Sequence, residues 1–154
     1  MAVKTSDGFE YHVNNTGSTK SALDIGDNGA LLKVYGGAVP ASPNDALGAA
    51  TLLVVYSVGG TGNGLSLDAH ATDKRTLVKP AGETWQGTAV ATGLATFYRL
   101  VRSDDNGSAS ATQQRVQGSV GNSPTDDLYL SNPQITSGET RALSAYALTR
   151  PNAA

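Results

Sequence analysis

The residues whose types and spacing could hold a metal ion are Asp68, His70 and Asp73. Carboxylate oxygens and imidazole nitrogens are common metal ligands. The three residues match no established metal-binding motif, and turn-forming residues lie close to them. A surface loop is therefore the favoured interpretation, and the sequence predicts no metal site.

Two pairs of adjacent carboxylates, Asp104-Asp105 and Asp126-Asp127, are candidates for general acid and base catalysis. Both pairs lie beside turn residues, where Asp commonly hydrogen-bonds to the local backbone. A carboxylate pair that hydrolyses sugars needs an aromatic-lined cleft, and the chain has one Trp and two Phe. We therefore interpret both pairs as turn residues.

Nucleophile and phosphate motifs are also missing. The stretch VYSVGG at 55–60 lacks the G-x-S-x-G pattern of a serine nucleophile. The glycine-rich stretch GGTGNG at 59–64 lacks both the dinucleotide-binding spacing and the Gly-Lys-Ser/Thr of a phosphate loop. The sequence thus predicts a protein that is not an enzyme, with no catalytic residues and no cofactor.

Composition narrows the choice of partner. Charged residues make up 16% of the chain, the net charge is −2, and there is no cysteine. A nucleic-acid partner would need a clustered basic face, but Lys74-Arg75 is the only adjacent basic pair. The apolar run at 50–58 is far shorter than the roughly 20 residues of a membrane-spanning helix. We expect no nucleic-acid partner, no membrane span and, from the polar N-terminus, no export signal.

The elements that would position any site are short strands separated by turn dipeptides such as Asn28-Gly29 and Asn63-Gly64. Strands are predicted over 9–13, 30–35, 51–58, 65–69, 76–80, 93–103, 113–120, 127–131 and 140–149. Several alternate apolar and polar residues, as in antiparallel sheets with one wet face. The prediction is an all-β fold: an antiparallel β-sandwich, jelly-roll-like, with about eight to nine strands and little helix.

This pattern divides the chain into two regions. Residues 1–20 are predicted to form an N-terminal arm or extended segment, and residues 21–154 the β-sandwich. Short helical turns are predicted over 19–26 and 43–50.

The strand ATFYRLVRSDD at 95–105 is unusual because both of its faces mix large apolar groups with an arginine. Either Phe97 with Val101 or Tyr98 with Leu100 is expected to face the core, and the other pair to form a contact surface. Trp85 is either an interface anchor or a cap on one end of the core.

Three segments, 22–46, 87–107 and 113–140, together resemble small virion proteins of jelly-roll type carried by tailed bacteriophages, some of which are capsid decoration (cement) proteins. Each combines a glycine turn with a short apolar or aromatic strand. The resemblance offers no catalytic residues.

The resemblance implies a virion protein that binds the outside of the capsid and bridges major capsid protein subunits. It implies a homodimer or homotrimer, made in the host cytoplasm. Two alternatives stay open: a tail or fibre adaptor or receptor-binding module, and a carbohydrate-binding module. The interface residues predicted on this basis are Trp85, Phe97, Tyr98, Arg99, Arg102 and Arg115.

Overall fold

The computed structural model describes residues 3–16, 29–73 and 75–149. In chain order the elements are β1 Lys4–Thr5, α1 Asp7–Thr16, β2 Ala30–Gly36, β3 Thr51–Val58, β4 Asp68–Ala69, β5 Thr76–Val78, β6 Trp85–Thr88, β7 Gly93–Arg102, β8 Arg115–Gly121, β9 Leu128–Tyr129, β10 Gln134–Ile135, β11 Thr140–Leu143 and β12 Ala147–Thr149. The nearly all-β prediction is confirmed, and the architecture is compatible with a β-sandwich. Within the described ranges, no helix is long and apolar enough to cross a bilayer.

The strands form one large sheet and one small sheet. The main path of the large sheet is β1-β8-β7-β2-β3-β6-β11, with β10 added beside β7 and β9 beside β8. Its pairs are antiparallel except for β8 and β9, which run parallel. The small sheet has the order β12-β5-β4. Apolar side chains between the two sheets, from Leu32 and Leu100 in the large sheet to Leu148 in the small one, form one core.

The long apolar runs were predicted well. The predicted strands over 30–35, 51–58, 93–103 and 113–120 correspond to β2, β3, β7 and β8. The predicted strand over 140–149 is instead split into β11 and β12. Three short strands were not predicted, β1, β6 and β10, because each has at most four residues and little apolar alternation.

The strand predicted over 9–13 is wrong, because this segment lies inside helix α1. Phe9 and Val13 are buried, but Tyr11 between them is 73% exposed. In a strand, residues two apart share a face, whereas in a helix residues four apart do. The Phe9–Val13 spacing fits both patterns. Tyr11 distinguishes them, because a strand would place it on the buried face with Phe9, whereas the helix turns it outward.

Ser6 explains why a helix begins at this point. Its hydroxyl accepts a hydrogen bond from the Phe9 amide at 3.1 Å, as expected of an N-cap residue. The same hydroxyl donates to the Gln113 carbonyl at 2.6 Å and accepts from the Arg115 amide at 2.9 Å. The cap thus also attaches the helix to the start of β8.

The predicted domain boundary at residues 20 and 21 and the predicted helical turn over 19–26 lie outside the described residues. The segment 43–50, predicted as a helical turn, contains turns but no helix. It belongs to a long connection between β2 and β3, residues 37–50, which we call the crossing loop.

Candidate functional site

Five of the six predicted interface residues lie in the interior of the folded chain. The exposed fraction is at most 1% for each of these five: Trp85, Phe97, Tyr98, Arg99 and Arg115. Only Arg102 keeps a substantial exposed part, 26% of its side chain, beside Asp104. A partner docking on the single folded chain would therefore reach only Arg102 among the six, and the role of these residues as an interface stays a prediction.

From Phe97 to Val101 both faces of β7 are covered by the chain itself, which answers the question raised by its mixed composition. Tyr98 and Leu100 face the core between the sheets. Phe97 lies on the opposite face, where its ring stacks on that of Tyr35, with centroids 5.0 Å apart and planes 14° apart. A polar layer lies beside this stack and under the crossing loop, so no neighbouring molecule is needed to cover the face.

Side chains from the sheet hold the crossing loop by its backbone carbonyls. Arg99 Nη2 donates to the carbonyls of Ser42 and Asp45, at 3.3 and 3.0 Å. Gln117 Nε2 donates to the Pro40 carbonyl at 2.8 Å. Arg115 and Gln117 point away from the core, but the crossing loop buries them.

Arg115 forms the central ion pair of this layer. Its Nε and Nη2 donate to the two carboxylate oxygens of Asp105, at 2.5 and 2.8 Å. Its Nη1 also donates to the Pro43 carbonyl at 2.9 Å, and its Nη2 to the Ser108 carbonyl at 2.7 Å. Side-chain exposure is 0% for Arg115 and 2% for Asp105. A bidentate ion pair with further donation to backbone carbonyls is the arrangement in which a buried guanidinium is tolerated.

Arg99 is less completely satisfied. Its Nε donates to the side-chain oxygen of Gln117 at 2.9 Å, but its buried Nη1 has no hydrogen-bond partner. Burial, and then the positive charge of Arg115, lower the pKa of the Arg99 guanidinium. Burial likewise raises the pKa of the neighbouring Tyr35 hydroxyl to about 12. The layer is a clamp built from backbone acceptors, with no exposed reactive group.

The pKa of Asp105 predicts how this clamp responds to acid. Burial by itself would raise that pKa, but hydrogen bonds from the Arg115 side chain and the Gly107 amide, together with nearby positive charge, lower it below its usual value. A carboxylate with a lowered folded-state pKa stabilises the fold above its unfolded pKa of about 3.9, and this stability is lost as pH falls through the folded-state value.

We therefore expect the free energy of unfolding to fall as pH drops below about 4, and Asp105→Asn to remove part of that dependence. Urea titrations between neutral pH and acid would measure both slopes. Asp104→Asn is the matched control, since Asp104 is exposed. Equal acid slopes for Asp105→Asn and the unaltered protein would contradict the assignment.

Trp85 lies in an aromatic cluster at the core, not on a surface. Its ring is 5.4 Å from that of Tyr146, and the Tyr146 ring lies edge-on to Tyr98 at 5.8 Å. The indole nitrogen donates to the Glu83 carboxylate at 3.2 Å, and the two tyrosine hydroxyls are 3.1 Å apart. Of the two predicted roles, the geometry matches the one in which Trp85 packs against the core.

The candidate metal-binding and catalytic side chains His70, Asp126 and Asp127 each accept hydrogen bonds from backbone amides nearby in sequence. His70 Nδ1 accepts the amides of Thr72 and Asp73 in a turn, at 3.3 and 3.1 Å. Asp127 accepts the Ser119 amide at 2.9 Å, and Asp126 accepts the Ser123 amide at 3.1 Å. Over the described residues, no group of three His, Cys, Asp or Glu side chains is placed to hold a metal ion.

Two surface features remain as candidates for binding. The first is an open groove of about 960 Å³ between residues 126–131 and 141–147. Tyr129 stands beside it with 57% of its surface exposed. The groove could not be predicted from the sequence, because its two walls come together through the pairing of β9 with β8 and of β11 with β6.

The second feature is an uncharged end of the large sheet, where β2 ends and β7 begins. Val39, Val90 and Leu94 are exposed there, by 41%, 62% and 56%. The Val90 amide donates to the Leu53 carbonyl at 2.8 Å, and Leu53 in turn contacts Gly93. The segments 36–44 and 84–98, which carry these three residues, contain no Asp, Glu, Lys or Arg.

No protein-family model, curated protein or solved structure matches the chain.

Proposed function

We propose that this chain is a structural protein of a phage virion, which binds the outside of the capsid as a decoration protein and bridges major capsid protein subunits. The observation that carries the proposal is the uncharged end with Val39, Val90 and Leu94 exposed. Depletion of charge with retention of large apolar groups is the compositional mark of interface centres. The resemblance of segments 22–46, 87–107 and 113–140 to phage virion proteins supplies the kind of partner.

The clamp under the crossing loop supports the same proposal. A protein that reinforces a lattice gains most when its own contact surface is already ordered before binding. Arg99, Arg115 and Gln117 together hold the carbonyls of four residues of the loop that carries Val39. The loop is thereby held in one conformation beside the uncharged end.

Stabilisation would operate by mass action. A protein that binds the assembled shell but not its separated subunits shifts the equilibrium towards the shell. Each contact is modest, but many copies act on one particle. No chemistry at the site is required, and the same side chains serve every copy.

Copy number in purified virions is the direct test of this proposal. Quantitative mass spectrometry, normalised to the major capsid protein, is expected to give a simple ratio near one copy per capsid subunit or a fixed fraction of it. A handful of copies per particle would move the protein to the tail. Absence from virions would overturn the proposal and favour the carbohydrate-binding alternative, for which the exposed Tyr129 beside the groove is the supporting observation.

A charge placed at the uncharged end is expected to abolish capsid binding without unfolding the protein. Leu94→Asp introduces a carboxylate that would have to be desolvated at the interface, so we expect binding to weaken at least about tenfold. Co-sedimentation with capsids that lack this protein would measure the effect. Tyr11→Asp, at an exposed apolar residue on α1, is the matched control and should bind normally. Equal binding by both variants would exclude this end as the contact surface.

A further inference from the structure

The groove between residues 126–131 and 141–147 is bounded by two strands that each lack a neighbour on one side. Strand β11 pairs with β6 on one side and, within the described chain, with no strand on the other. Among the described strands, β9 pairs with β8 alone. Unpaired strand edges present backbone amide and carbonyl groups that can pair with another chain.

The floor of the groove is the protein core itself. Leu130, Leu143 and Tyr146 line it, and these three retain 5–6% exposure. The other members of the core cluster retain 0–5%, and half of them, such as Leu32 and Leu100, have none. The large sheet therefore leaves its core slightly open between β9 and β11, where an additional strand would close it.

The charged side chains along the groove are engaged in hydrogen bonds within the chain. The carboxylate of Asp127 accepts both the amide and the hydroxyl of Ser119. Arg141 Nη1 donates to Glu139 at 3.3 Å and its Nη2 donates to the Asn132 carbonyl. Lys79 donates to the Pro80 carbonyl at 3.2 Å. The groove therefore offers the backbone groups of its strand edges for pairing with another polypeptide, beside the hydroxyls of Tyr129, Ser131 and Ser144.

We propose that the groove binds an extended segment of a partner polypeptide, which adds as a strand along β11 and β9. Such strand addition obtains its affinity from main-chain hydrogen bonds and its specificity from alternate side chains. The side chains directed at the floor would be small and apolar, since they meet Leu143 and Tyr146. Because Asp126 and Asp127 are balanced by Lys79 and Arg141 around the groove, the segment would be uncharged.

Identification of this partner as a capsid subunit rests on the proposed function, but strand addition itself does not. The test therefore uses purified protein and no virion. The probe is a capped heptapeptide of alternating valine and serine, titrated into the isotopically labelled full chain while backbone amide signals are followed by NMR. The same peptide with a central proline, which cannot donate to a strand ladder, is the negative probe.

We expect dose-dependent shifts of amides in 128–131 and 141–144, saturating with a Kd of about 1 mM or lower. Ala142→Lys places a charged side chain on the exposed edge of β11 and should weaken binding at least tenfold. Ala69→Lys is the matched control: Ala69 is an exposed alanine on β4, which is also an edge strand but does not line this groove. It should leave the titration unchanged.

Several results would overturn the proposal. These are the absence of shifts at millimolar peptide, equal shifts with the proline peptide, or equal losses in the two lysine variants. Shifts of the same amides by a neutral oligosaccharide, with none by the peptide, would assign the groove to carbohydrate instead. Binding of the peptide by a protein that is absent from virions would leave strand addition intact and refute only the capsid partner.

Discussion

Replacement of Arg115 by methionine is expected to lower the free energy of unfolding by about 3–5 kcal/mol. The change leaves the Asp105 carboxylate buried without its partner and removes the donors to the carbonyls of Pro43 and Ser108. An uncompensated buried charge costs far more than the pair itself contributes. Urea denaturation followed by the fluorescence of Trp85 would measure the loss.

Arg102→Met is the matched control for this experiment. Arg102 pairs with Asp104 at 3.5 Å, where 26% of the arginine side chain and 59% of the aspartate side chain are exposed. Exposed pairs contribute about 0–1 kcal/mol. The double variant Asp105→Leu with Arg115→Met should recover part of the stability lost by the single change, because no lone charge is left. A loss below about 1 kcal/mol for Arg115→Met would show that the clamp does not hold the fold.

Trp85→Ala is expected to have an effect of similar size, about 3–5 kcal/mol. Trp85 is fully buried, its ring contacts that of Tyr146, and its removal leaves a cavity between the two sheets. Trp85→Phe keeps most of the volume and should cost clearly less. Since the variants lack the sole tryptophan, far-ultraviolet circular dichroism would follow unfolding.

The outcome also distinguishes between the two roles predicted for Trp85. A core residue gives a stability loss, whereas an interface anchor gives a loss of binding with stability unchanged. Val90→Ala, at a residue that is 62% exposed, is the control and should change stability by no more than about 0.5 kcal/mol. Equal stability of Trp85→Ala and the unaltered protein would contradict the core assignment.

The uncharged end and the groove are independent surfaces with independent tests. Leu94→Asp addresses contact with a capsid, and Ala142→Lys addresses strand addition. A decoration protein in which only Leu94→Asp fails to bind capsids would use the uncharged end alone. If both variants fail to bind capsids, the protein uses both surfaces, as bridging of two subunits requires.

Much of the architecture could be predicted from local patterns. The long runs at 30–35 and 51–58 are rich in β-branched and aromatic residues and end at glycine turns, so their strands follow from side-chain preferences alone. The missed helix at Asp7–Thr16 shows the limit of this reasoning. Phe9 and Val13 satisfy both periods, and the choice depends on the hydroxyl of Ser6, whose attachment to Gln113 is more than a hundred residues away in sequence.

The candidate sites depended on tertiary structure to a greater degree. Arg99 and Arg115 look like surface residues in the sequence, because a strand that alternates arginine with apolar groups normally has one wet face. The crossing loop, 54–72 residues away in sequence, buries them, and its carbonyls accept hydrogen bonds from both guanidinium groups. Such pairing between a side chain and a distant backbone leaves no mark in local composition, since every residue carries the same carbonyl. The sequence by itself therefore determined the strands and their turns, and the tertiary structure alone decided which of their faces meets solvent.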